Sequence, residues 1–179
     1  MPEQVKVNPN TRLIYVSNGS SDNVSVIDGN TNTIIITIDV GDGANGIDID
    51  TSTNKIYVAN TNTDNVSVID GDTNTVISTI SVGDAPSRIS VDPTTHLVYV
   101  TNYNSGNVSV IDGYTNTVIT TFPTLGLSKA VLVLPNSNTL YLARYQSDPV
   151  VNVIDTTTNT PITTIHVGTN PVSMDYLCK

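Results

Sequence analysis

Four carboxylates recur in the same short phrase, Val-Ile-Asp: Asp28, Asp70, Asp112 and Asp155. Serial carboxylates are what a hard cation such as calcium takes, and Asp70-Gly71-Asp72-Thr73-Asn74 has the opening spacing of a calcium loop. The rest of such a loop is missing: Thr75 stands where a glycine is required, and no acid occupies the twelfth position. Asp followed by Gly between apolar runs is a turn signal, its side chain bonding nearby backbone, so no metal is expected. His96 and His166 are the two histidines and fall in different segments, whereas zinc and iron need several converging ligands. Cys178 stands alone, which excludes an internal disulfide, a Cys-rich zinc site and a covalent c-type haem. Glu3 is the one glutamate, and no Ser, His and Asp set shares a loop. No catalytic residue and no cofactor is expected within this chain.

Binding chemistry is better represented. Arg88, Lys129 and Arg144 are cations in segments otherwise rich in Asn, Asp and Thr, and Tyr103 and Tyr145 lie in the same kind of segment. On one rim, three cations could grip an anionic group, and the tyrosines could stack on a sugar or a peptide. The plainer reading is ordinary loop variation with solvated charges. Asn18, Asn23, Asn65 and Asn107 each match the Asn-x-Ser/Thr glycosylation pattern.

The elements that carry these residues follow from a repeat. Asn23-Val24-Ser25-Val26-Ile27-Asp28-Gly29 returns at Asn65 and at Asn107, 42 residues apart each time, and a weaker copy ends at Asp155. Tyr15, Tyr57, Tyr99 and Tyr141 keep the same 42-residue spacing. Each copy divides into four short runs rich in Val, Ile, Thr and Tyr, separated by Asn, Asp, Gly and Thr turns. In the second copy these are Gly46–Asp50, Lys55–Asn60, Asn65–Asp70 and Thr75–Ile80. Leu13-Ile14-Tyr15-Val16 and Ile34-Ile35-Ile36 are apolar at successive positions, the pattern of sheets covered on both faces. The expected fold is all-β: a propeller-type array of four-stranded antiparallel blades.

Tyr99-Val100-Thr101-Asn102 spells the tetrapeptide of the YVTN β-propeller repeat family, and Ile56–Asn60 and Ile14–Asn18 are close variants. Pro86-Ser87-Arg88-Ile89-Ser90-Val91-Asp92-Pro93 also resembles that family. The resemblance implies propeller blades and extends to surface-layer proteins, exported binding proteins and some redox enzymes. It thus implies a non-catalytic binding or scaffold module, extracellular or at the cell surface, that contacts protein or glycan through one loop face. The alternative is a fragment of a lactonase-like or quinone- or haem-linked propeller enzyme whose active site lies outside this chain. Channel-lining acids or histidines would favour the enzyme, and the expected lining, Gln4, Gly46, Arg88 and Ala130, supplies neither.

The chain reads as one domain over residues 1–179, with repeats at 2–43, 44–85, 86–127 and 128–170 and the first strand of a fifth at 171–179. Two such first strands at opposite ends imply an open arc, with self-association through the end blades or with further repeats of a longer chain. A closed four-blade ring is the other arrangement. The fourth copy departs from the pattern: Arg144 replaces Asn60 and Asn102, and one residue is inserted before Val151. Net charge is −9, so nucleic acid and anionic membrane surfaces are disfavoured as partners. No run approaches the roughly 20 apolar residues of a membrane span. The sequence opens directly on repeat residues after Met1-Pro2 without signal-peptide character.

Overall fold

The computed structural model describes residues 1–144, 149–169, 171 and 173–175, and these contain sixteen strands and no helix. Blade 1 is β1 (Pro2–Asn8), β2 (Leu13–Asn18), β3 (Asn23–Asp28) and β4 (Thr33–Asp39). Blade 2 is β5 (Ala44–Asp50), β6 (Lys55–Asn60), β7 (Asn65–Asp70) and β8 (Thr75–Ser81). Blade 3 is β9 (Pro86–Asp92), β10 (Leu97–Asn102), β11 (Asn107–Asp112) and β12 (Thr117–Pro123). Blade 4 is β13 (Ser128–Leu134), β14 (Thr139–Arg144), β15 (Val150–Asp155) and β16 (Thr160–His166). Every sheet is an antiparallel meander in chain order, and the first strands β1, β5, β9 and β13 lie side by side.

Turn chemistry sets the strand ends. Asp28, Asp70, Asp112 and Asp155 each accept hydrogen bonds from the backbone N–H groups two and three residues on, at 2.7–3.4 Å. These carboxylates hold their own turns, as the Asp-Gly pattern predicts. The last residue of each such turn is left-handed, and it is always asparagine: Asn32, Asn74, Asn116 and Asn159, with φ of 54–58°.

The hydrophobic core lies between blades. Tyr15, Val24, Val26 and Ile38 of blade 1 pack against Ala44, Ile47, Ile49, Ile56, Val58 and Ile69 of blade 2. The same arrangement joins blade 2 to blade 3 and blade 3 to blade 4. Each side chain buried this way contributes about 1.5–3 kcal/mol of transfer free energy, against which chain entropy must be set. Strands β6 and β10 are therefore buried on both faces, as their unbroken apolar runs predict.

Ile34-Ile35-Ile36 corrects that reading: these residues are 64, 52 and 40% exposed. The register slips between Val26 and Ile27, leaving Ile35 as the extra residue of a bulge, and the same slip recurs in all four blades. Fourth strands are the outermost, where neighbouring blades cover them least. The described part of the fifth first strand, Pro171 and Ser173–Asp175, carries no strand, and the remainder lies outside the described residues.

Candidate functional site

The first strands carry a bulge on entry. Register slips at Glu3 in β1, at Asn45–Gly46 in β5, at Ser87 in β9 and at Lys129 in β13. A bulge re-aims a side chain, and Glu3, Asn45, Ser87 and Lys129 all line one depression of about 670 Å³ on the loop face. The β2–β3 type turns complete it with Asn62, Asp64, Tyr103 and Asn104. Gly46 is required by close approach: a Cβ there would meet the Ser87 carbonyl oxygen at 2.6 Å and the Arg88 Cα at 2.7 Å.

Arg88, Tyr103 and Lys129 come together here as their loop positions predict. The Lys129 ammonium lies 5.4 Å from the centroid of the Tyr103 ring, within cation–π range. Arg88 Nη1 donates to Asn45 Oδ1 and, at 2.9 Å, to the Ser87 carbonyl. Burial lowers the Arg88 pKa from its ordinary value, and the nearby Glu3 carboxylate opposes that. Arg144 lies apart from these three: its Nη1 donates to the Leu125 carbonyl at 3.0 Å, and it does not line this depression. Its stem lies over Gly126, where φ is 140° and a Cβ would collide with Arg144 Cδ at 2.3 Å. Tyr145 lies outside the described residues. Glu3, Asp64 and Asp84 line the depression together with Arg88 and Lys129, so it carries acids and cations in near balance rather than a cluster of cations alone.

Toward the axis the first strands line a second cavity of about 300 Å³. The expectation that this channel supplies no acid is overturned by Asp48, one tier deeper than Gly46. Lys6, Asp48, Ser90 and Leu132 share that tier at 42-residue spacing, a signal present in the sequence that the shallower tier obscured. Asp48 Oδ1 lies 3.1 Å from the Lys6 ammonium, and Oδ2 accepts the Val91 N–H at 2.8 Å. Burial raises the Asp48 carboxyl above the usual range, with Lys6 and the Val91 N–H pulling the other way. The same tiers tie blade to blade: Gln4 accepts from the Ile47 N–H at 3.1 Å, and Ser90 accepts from the Val133 N–H at 3.0 Å.

At the opposite end, His96 Nδ1 lies 2.6 Å from Asp50 Oδ2 across the blade 2–blade 3 junction, and its ring packs on Tyr114 at 4.4 Å between centroids. This partner was not visible in the sequence, because Asp50 and His96 belong to different repeats. His166 ends β16 and is exposed. Among the described residues no group of three or more His, Cys, Asp or Glu could hold a metal ion, and no helix is long and apolar enough to cross a membrane.

Four radially adjacent antiparallel meanders, packed face to face with their first strands around an axis, define a partial β-propeller. Hydrazine synthase from Kuenenia stuttgartiensis has a similar structure: the TM-score is 0.88 at 23% identity, over 93% of this chain and 49% of that one. The chain thus spans about half the length of that protein, and the likeness is one of fold. No family model matches the chain, and no curated protein matches it.

Proposed function

We propose that the chain is a non-catalytic binding module of a cell-surface or exported protein of the YVTN-repeat kind, contacting protein or glycan through its loop face. The observation that carries this reading is the convergence of Tyr103, Lys129, Arg88 and the bulge residues Glu3 and Asn45 on one open depression. An aromatic face beside balanced acids, amides and cations suits a sugar, whose ring stacks while its hydroxyls both donate and accept. Charge balance disfavours a simple anion as the ligand. The test is titration of the chain with a panel of neutral and uronic-acid oligosaccharides, followed by amide NMR shifts. Binding should perturb Tyr103, Lys129 and Asn45 and weaken at least tenfold in Tyr103→Ala. Perturbation confined to other faces, or none across the panel, overturns the reading.

One observation favours the enzyme alternative. Asp48 is a largely buried carboxylate in the axial cavity beside Lys6, the kind of channel acid that a propeller hydrolase uses. On that reading further catalytic groups lie outside this chain. Lactone hydrolysis lost in Asp48→Asn would support it, and equal rates in the two proteins would dismiss it.

A further inference from the structure

Among the described residues, Arg88 alone lines both the loop-face depression and the axial cavity. Its equivalents in the other blades are Gln4, Gly46 and Ala130. Gln4 spends its side chain on the Ile47 N–H and lines the axial cavity only. Arg88 is half-buried and held from two sides: Nη1 donates to Asn45 Oδ1, on the bulge of β5, and to the Ser87 carbonyl at 2.9 Å. Asn45, and Glu3 whose charge acts on the guanidinium, line the depression and not the axial cavity. The bound end of Arg88 therefore belongs to the depression.

This guanidinium has no counter-ion in contact. Lys6 meets Asp48 at 3.1 Å, whereas both acceptors of Arg88 are neutral oxygens and no described carboxylate lies within ion-pair distance of it. Its Nε and Nη2 have no hydrogen-bond partner among the described residues. Those two nitrogens form the edge of the fork that takes both oxygens of one carboxylate. Burial works against the charge, and an anion in contact would offset that cost.

A second departure from the repeat lies in the same depression. In the copy before it, Asn62 Nδ2 donates to Asp42 Oδ1 at 2.9 Å and closes that pair. The equivalent residues Asp84 and Asn104 both line the depression, and their side chains make no such bond. An open carboxylate beside an open amide accepts from and donates to hydroxyls. We infer that the ligand of this depression is an acidic saccharide, its uronic-acid carboxylate seated on the Nε–Nη2 edge of Arg88 and its hydroxyls on Asp84 and Asn104, an assignment that rests on the saccharide reading above. A single planar carboxylate fits the fork, and the lining acids Glu3, Asp64 and Asp84 disfavour a group of higher charge.

Calorimetric titration of the chain compares a galacturonic-acid trisaccharide with its methyl ester, which keeps every ring hydroxyl and loses the charge. The acid should bind roughly tenfold to a hundredfold more tightly, the worth of a charge-assisted hydrogen bond. Arg88→Gln should bring the two affinities together. Arg88→Lys, with the charge but not the fork, should leave a smaller preference for the acid and serves where the glutamine variant does not fold. Arg12→Gln, at an exposed arginine of the β1–β2 turn, should leave the preference unchanged. Acid and ester bound equally, both weakened by Tyr103→Ala, overturns the carboxylate seat and keeps the saccharide reading. Binding of neither overturns both. A sulfated galactose trisaccharide bound as tightly as the acid, or an acid preference that survives Arg88→Gln, also overturns the assignment.

Discussion

Ala85 is held at φ 52°, a left-handed backbone that costs a residue with a Cβ about 1–2 kcal/mol. Its equivalent one repeat earlier is Gly43, at φ 76°, and in both the backbone N–H is bonded by an aspartate of the preceding turn, Asp64 or Asp22. Ala85→Gly keeps that bond and relieves the strain, less the entropy glycine brings to the unfolded chain, so urea denaturation should show a gain of about 0.5–1 kcal/mol. Asp48 gives a pH signature of the opposite kind to most carboxylates. Its folded pKa is raised, so its charge opposes folding above that pKa, and the penalty disappears as pH falls through the folded pKa towards the unfolded one. Asp48→Asn keeps an acceptor for the Val91 N–H and leaves Lys6, whose side chain is 39% exposed, to water. The variant should be more stable than the parent at neutral pH, the difference closing as the carboxyl is protonated. Asp50 behaves conventionally. Burial raises it, but bonds from His96, Ser52 and Thr53 together hold it below the usual range, so its contribution is present above the unfolded pKa and lost in acid. Denaturation midpoints followed from pH 7 down to pH 3 separate the two.

Within a blade, the asparagine that ends each second strand explains much of the repeated spelling. Asn102 Nδ2 donates to Asn107 Oδ1 at 2.7 Å and to Ser109 Oγ at 2.9 Å, and Asn18 and Asn60 do the same with their own Asn and Ser partners. The strand-start sequons are thus explained as hairpin clasps between the second and third strands. Asn102→Ala should cost about 1–3 kcal/mol in a thermal or urea melt, because Asn102 is 1% exposed and its partners lose a buried donor. Blade 4 confirms the coupling by its departures: Arg144, Val150 and Asn152 replace all three members together, and Asn152 Nδ2 turns to the Thr124 carbonyl at 3.1 Å. The bulges were harder to read. Nothing in Ile34-Ile35-Ile36 by itself separates a doubly covered strand from one with an inserted residue, and only the pairing register of β3 with β4 decides it.

Across the arc, stability is additive along the row of blades, since each core is shared by two neighbours and no blade has one of its own. Blades 2 and 3 are covered on both faces, and blades 1 and 4 on one. Native-state hydrogen exchange in dilute protein should therefore be slowest in β6, β7, β10 and β11 and fastest in β1 and β16. Uniform protection across all sixteen strands would contradict this account of where the core sits.

Periodicity alone was enough to establish the blades, because a 42-residue repeat of alternating turn and apolar residues admits few ways to bury each sheet, and tyrosines in phase fall at equivalent positions of the second strands β2, β6, β10 and β14. Loop position was enough to bring Arg88, Tyr103 and Lys129 to one depression. The direction of Arg144, the bulges that aim Glu3, Asn45 and Ser87, and the pairing of Lys6 with Asp48 came only from the folded chain. Those features depend on contacts between residues distant in the chain, from 19 residues for Arg144 and Leu125 to 42 for Lys6 and Asp48, and such contacts are set by how blades pack and by how each strand slips in register. Neither is encoded in the local order of residue types.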